Sequence, residues 1–137
     1  MCTTFDIQLS AKKRGFHLVT GEIMSQLPEL PRNGILVLFI KHTSAALTIN
    51  ENADPSVRAD FTSFFERYVP DGAHYFVHNS EGDDDMSAHI KASVFGSSIT
   101  IPIRNRELNW GMWQGIYLCE FRNESGSRSI SVTLIGE

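Results

Sequence analysis

The sequence predicts an α+β domain: a mostly antiparallel sheet with about three helices packed on one side. Three observations lead there. Short segments alternate apolar and polar residues with the period of a half-buried strand, three stretches carry helix start and stop residues, and 137 residues of ordinary composition suffice for one core. Hydrophobic residues make up 42% and charged residues 20% of the chain, which places it among soluble globular domains and away from disordered ones. No linker, repeat or low-complexity stretch divides it, so residues 1–137 are read as a single domain.

Phe5, Ile7 and Leu9 alternate with polar neighbours and predict a first strand. A helix is expected next, capped by Thr20, with Glu22 in its first turn, Ile23, Met24 and Leu27 at helical spacing, and Pro28 and Pro31 closing it. Gly34 to Lys41 is apolar at both parities, so this strand is expected to be covered on both faces by a helix, another sheet or a neighbouring subunit. Ala46 to Glu51 continues or pairs with it. Asp54-Pro55 then supplies an N-cap and a proline at the first helical position, and Val57, Phe61, Phe64, Phe65 and Tyr68 form the expected buried stripe of the second helix. His74 to Asp85 reads as an acidic surface loop. A short helix follows from about Met86 to Phe95, capped by Asp85 and ended by Gly96. Ser98 to Ile103, Gly115 to Arg122 and Arg128 to Ile135 complete the strands, the last two as a hairpin that sets Glu120 opposite Arg128.

The net charge of −4 and the absence of a Lys/Arg cluster argue against a nucleic-acid partner. The longest apolar run, Ile35 to Ile40, is too short to span a bilayer, and the N-terminal residues alternate instead of forming an apolar signal core. A cytoplasmic protein with no membrane partner is therefore expected. Cys2 and Cys119 have neither metal-site nor redox spacing and read as free thiols.

The densest polar run is His42-Thr-Ser-Ala-Ala-Leu-Thr-Ile-Asn-Glu-Asn-Ala-Asp54, directly after the apolar strand. Polar groups at alternating positions beside a core segment predict a lined pocket, because buried donors and acceptors need partners. Asp85 and His89 are four apart and share a helix face. With His42 and His78 they form a set that can converge at one end of the sheet and hold a zinc-type metal with an open position. Glu51, Asp54 and Asp83 to Asp85 are the acidic alternatives, able to hold Mg²⁺ against a phosphorylated substrate. Glu120 and Arg128 read equally as a cross-strand ion pair or as substrate ligands, Arg128 being suited to a bidentate phosphate contact. Trp113-Gln114 offers an aromatic wall and an amide for a heterocycle. Lys91, turned away from His89 on the same helix, faces something else, a neighbouring subunit or a bound anion.

Several blocks together, His42 to Asn52 with Asp54-Pro55, Ala88-His-Ile-Lys91, Trp113-Gln114, and Glu120 with Gly126-Ser-Arg128, resemble the YjbQ family, small proteins described as secondary thiamine-phosphate synthases. The resemblance covers nearly the whole chain. It implies a homotrimer with pockets near subunit boundaries and a site lined by His42, Asn50, Asn52, His78, His89, Gln114, Glu120 and Arg128. It departs at Asp85, where many relatives have asparagine, and at the longer Arg122-to-Arg128 turn.

The implied reaction joins a hydroxymethylpyrimidine diphosphate to a thiazole phosphate with loss of pyrophosphate. In it His42, His89, Glu120 and Arg128 are the expected catalytic residues, Asn50, Asn52, Trp113, Gln114 and Arg128 bind substrate, and Mg²⁺ sits on carboxylates; His42, His78, His89 and Asp85 are the expected metal-site residues. Two further readings accompany it: a Zn²⁺-dependent hydrolase of a small phosphorylated or acylated metabolite, and a non-catalytic module that binds one.

Overall fold

The alternating segments fold into two antiparallel sheets that face each other, not into one. A computed structural model spans residues 1–137. In chain order the elements are β1 (Cys2–Leu9), β2 (Gly15–Leu18), α1 (Thr20–Met24), β3 (Asn33–Ile40), β4 (Ala45–Glu51), α2 (Pro55–Tyr68), α3 (Asp83–Phe95), β5 (Ser98–Arg104), β6 (Glu107–Leu108), β7 (Gln114–Glu120) and β8 (Arg128–Gly136). One sheet has the order β1-β8-β3-β5-β6 and the other β2-β7-β4. The predicted α+β class holds, with α2 and α3 together on one side.

The main core lies between the sheets. Ile7 and Leu9, Leu36, Leu38 and Ile40, Ile101 and Ile103, and Ile130, Val132 and Leu134 point inward from the five-stranded sheet and meet Ala45, Leu47, Ile116 and Leu118 of the other. A second core forms on the far face of the three-stranded sheet. There Phe16, Ala46, Tyr117 and Cys119 pack under Ala88 of α3 and Phe121, with Phe61, Phe65 and Phe95 stacked around them. The molecule is thus sheet, sheet, helices. None of the helices is long and apolar enough to cross a membrane.

Several expectations need correction. The predicted hairpin of the last two strands does not form: β7 pairs with β2 and β4, whereas β8 pairs with β1 and β3 in the other sheet. Within one chain the strand at Ile35 is covered by a sheet on one face, and its other face is left to the neighbouring subunit that the expectation allows. Phe39 is 46% and Ile35 36% exposed, because within one chain nothing packs on the outer side of the five-stranded sheet. The first helix has five residues, and Thr20 does not cap it: its hydroxyl accepts the Ile116 N–H (2.9 Å), tying the helix to β7. The third helix begins three residues earlier than expected, at Asp83, so Asp85 is a buried first-turn residue and not the cap. The second helix matches its signals: Asp54 accepts the Ser56 N–H (2.9 Å) ahead of Pro55. Of its expected stripe, however, Phe64 and Tyr68 stay exposed while Phe61 and Phe65 pack inward.

Leu38, fully enclosed between the sheets, sets the scale of the core. Leu38→Ala is expected to lower the free energy of unfolding by about 2–5 kcal/mol, read from urea denaturation, because the void is lined by strands that cannot collapse into it. Gly34→Ala is expected to prevent native folding, since the new Cβ would sit 1.9 Å from the Ile135 carbonyl oxygen.

Candidate functional site

The start of α3 and the loop before it bring three ligand-bearing side chains together. His78, Asp85 and His89 place one ligand atom each within 4.8 Å of one another. Asp85 is the hinge of this group: it is 2% exposed, and its Oδ2 lies 2.7 Å from His78 Nε2 and 3.1 Å from His89 Nε2. The helix fixes the second contact through the i, i+4 spacing, and the loop returning over the helix start supplies the first.

His89 is oriented from behind. Its Nδ1–H donates to the Thr43 carbonyl (2.9 Å), in the segment between β3 and β4. A carbonyl only accepts, so the Nδ1 proton is assigned, and Nε2 is the nitrogen turned toward the Asp85 carboxylate. Asp85 is held from its other oxygen, which accepts from Arg122 Nη1. Arg122 also donates through Nε to Asp84 (3.0 Å) and through Nη2 to the Glu81 carbonyl (2.9 Å), clamping the loop against α3. Burial alone would push the Asp85 carboxyl up. The hydrogen bond from His78 and the charges of His89 and Arg122 outweigh it and leave Asp85 below the usual carboxylate range.

The donor set fits a divalent ion. Two imidazole nitrogens and one carboxylate oxygen, with metal–ligand distances of about 2.0–2.2 Å, require the ligand atoms to stand roughly 3–3.5 Å apart; Asp85 Oδ2 stands 2.7 and 3.1 Å from the two nitrogens, and all three atoms lie within 4.8 Å of one another.

His42 is not one of the converging three. It and His89 line one cleft of about 620 Å³ together with Thr43, Ser93 and Ser97. The Ser129 N–H donates to His42 Nε2 (2.7 Å), so that nitrogen is unprotonated and the ring is neutral with its proton on Nδ1. Burial, and then the nearby Arg128 charge, lower the His42 pKa in agreement with that tautomer.

Glu120 and Arg128 take up the ion-pair alternative and are closed on each other. Arg128 Nε donates to Glu120 Oε1 (2.7 Å), Nη2 donates to Oε2 and to the Ser44 hydroxyl (3.1 Å), and both residues are buried. They bridge the two sheets, not two paired strands. With its guanidinium used in this way, Arg128 is not presented to the cleft of His42 and His89.

The expected substrate amides lie elsewhere. Asn52 Nδ2 donates to the Met112 and Gln114 carbonyls (3.1 and 3.0 Å), and Gln114 Oε1 accepts the Gly111 N–H (2.7 Å), so both secure the loop before β7. They line a separate cleft of about 660 Å³ with Trp110 and Thr20. Trp113 is 60% exposed outside it, and the Asn50 carboxamide oxygen accepts the Glu51 N–H (2.8 Å) on the surface. The His42 cleft is at the start of β4 and this one at its end, a strand length of about 20 Å. Of the acidic alternatives, Glu51 accepts the Ala53 N–H, Asp54 caps α2, and Asp84 is bound to Arg122.

Sequence reasoning missed Arg122 and Thr43 as partners of the cluster, and Trp110 as the aromatic residue of the second cleft. Nothing local marks Arg122 or Thr43, since each acts across a gap of tens of residues.

Comparison with known proteins agrees with this architecture. Residues 5–137 match the family model described as UPF0047 protein YjbQ-like. The chain is 53% identical over 133 residues to the UPF0047 protein YjbQ of Escherichia coli O157:H7, covering 96% of each, and 39% identical over 135 residues to the UPF0047 protein MJ1081 of Methanocaldococcus jannaschii, covering 97% of this chain and 94% of that one. Among solved structures, a YbjQ-like protein of unknown function from Sulfolobus solfataricus P2 superimposes with a TM-score of 0.84 at 26% identity, over 100% of this chain and 99% of that one. An uncharacterized conserved protein of the yjbq/upf0047 family from Clostridium acetobutylicum does so with 0.79 at 34% identity, over 96% and 99%. The chain belongs to the YjbQ-like UPF0047 family.

Proposed function

We propose that this protein is a metal-dependent enzyme of the zinc-hydrolase type, with His78, Asp85 and His89 as ligands, acting on a small phosphorylated or acylated metabolite in the cleft shared by His89 and His42. The observation that carries this reading is the convergence of three ligand atoms within 4.8 Å beside an open cleft. Two imidazoles and a single carboxylate suit Zn²⁺ better than Mg²⁺, which favours oxygen donors. A bound ion would supply Lewis-acid polarisation of an ester or anhydride oxygen. Asp85 and His89 hold their orientation through Arg122 and Thr43. His42, fixed by the Ser129 N–H with its proton on Nδ1, donates a hydrogen bond to a substrate oxygen as negative charge develops there.

The thiamine-phosphate synthase reading is the second one. The Trp110, Asn52 and Gln114 cleft favours it, having the aromatic and amide character an aminopyrimidine needs. Within one chain that cleft is a strand length from the histidines, so this reading requires a homotrimer in which the two clefts of neighbouring subunits meet. The uncovered Ile35, Phe39 and Ile135 on the outer sheet face support an assembly of that kind. The metabolite-binding module is the outcome if ligand raises the melting temperature and no product forms.

Untagged protein purified without chelator is expected to carry about one zinc ion per chain by elemental analysis. His89→Ala and Asp85→Ala should lose it, and Arg122→Gln should weaken it about 10–100-fold. A wild type that binds zinc no better than Asp85→Ala overturns the reading, and pyrophosphate release from a pyrimidine diphosphate selects the synthase instead.

His42 gives a pH test. Its folded-state pKa lies below the unfolded value of about 6.5, so the unfolded chain binds the extra proton first. Unfolding free energy is therefore expected to fall as pH drops below about 6.5 toward the lower folded value, and His42→Gln, which keeps an acceptor for the Ser129 N–H, should flatten that slope in urea titrations.

A further inference from the structure

On the side of α3 opposite His89, Lys91 is 2% exposed, and its ammonium lies 5.2 Å from the centroid of the Phe121 ring. It lines a cavity of about 180 Å³ with Arg14, Thr62, Glu66 and Glu120, between aromatic walls formed by Phe16 and Phe65. No oxygen of the protein accepts a hydrogen bond from Nζ. The carboxylates around it are bound elsewhere: Glu66 and Asp71 to Arg14, Asp84 to Arg122, and Glu120 to Arg128.

The three N–H donors of this cation make no hydrogen bond to the protein, and they face a cavity that Arg14 also lines and whose carboxylates, Glu66 and Glu120, are each held by an arginine; the contact with Phe121 offsets part of the cost of burial. The volume is that of about six water molecules at their share of the liquid.

We infer that this cavity is a binding site for a small oxyanion, a carboxylate or inorganic phosphate of at most about six heavy atoms, held by Lys91. The site is distinct from the histidine cluster, because two residues along a helix turn the side chain by about 200°. It does not depend on the hydrolase reading.

The test is a titration of inorganic phosphate into the protein at constant ionic strength, with NMR detection of isotope-labelled lysine side chains. The chain has four lysines, Lys12, Lys13, Lys41 and Lys91, so assignment by the Lys91→Met spectrum is direct. The Lys91 resonance is expected to shift saturably, and the thermal midpoint to rise with phosphate in the wild type but not in Lys91→Met. A parallel acetate titration tells a carboxylate site from a phosphate site. Thr62→Phe places a ring at the cavity lining from an exposed position on α2 and leaves Lys91 intact. It should weaken binding about tenfold or more with unchanged circular dichroism, so the outcome does not hinge on the folding of Lys91→Met. A Lys91 resonance unmoved by either anion, or moved equally in Thr62→Phe, overturns the inference, and so does phosphate that perturbs only the histidine cluster.

Discussion

The fold depends on one strand, β7, that has to be buried on both faces. Ile116 and Leu118 belong to the core between the sheets, while Tyr117 and Cys119 belong to the core under the helices, and every residue from Gly115 to Glu120 is buried. A strand so placed cannot sit at an edge or face solvent. It takes β2 and β4 as neighbours, and the helices then have a single apolar surface on which to pack. Cys119 shows how dry this layer is: burial alone raises its thiol pKa well above the ordinary range, which makes it an inert core group. The residues at and just beyond the end of β7 inherit its position. Glu120 closes the space between the sheets with Arg128, and Arg122, two residues on, reaches the start of α3.

Local signals in the sequence described the elements well and their partners poorly. The Asp54-Pro55 start of α2 and the Gly96 end of α3 were legible because each is a contact within a few residues. The hairpin of β7 and β8 was a reasonable reading of two strands around a Ser-Gly turn, yet the four consecutive apolar residues Ile116 to Cys119 already pointed the other way, since a strand on an open outer sheet face would alternate. For β3 the same double-sided pattern is met on one face by the second sheet, while the other face is uncovered in a single chain. The His89–Asp85 pair was visible as an i, i+4 spacing. His78 joins it through the path of a loop, which no periodicity describes.

Charge at the start of α3 is organised by arginine. Asp83, Asp84 and Asp85 occupy the first turn, where the helix dipole favours negative charge, but two of them are buried and need more than a dipole. Arg122 spans both, and the Asn123 N–H adds a bond to Asp84 (2.8 Å). Asp84 therefore anchors the segment after β7 to the helix, and Asp85 is free to turn its second oxygen toward two imidazoles. Had Asp85 served as the N-cap, that oxygen would have been spent on backbone N–H groups. Gly82, at φ 102°, takes the cap position instead and lets the loop turn sharply enough to leave Asp85 inside the helix.

The same helix separates two polar environments that a purely amphipathic α3 could not serve. His89 looks into the cleft with His42, and Lys91 into the cavity that Phe65 and Phe121 help to line. Between them runs Ala88, whose small side chain lets α3 approach the three-stranded sheet at Ala46. Close approach is what buries Lys91 and brings Nδ1 of His89 within reach of the Thr43 carbonyl (2.9 Å). A larger residue at 88 would lift the helix from the sheet, breaking the Thr43 contact and opening the lysine cavity in one movement. The packing of one methyl group thus sets the geometry of both polar sites, although they share no side chain.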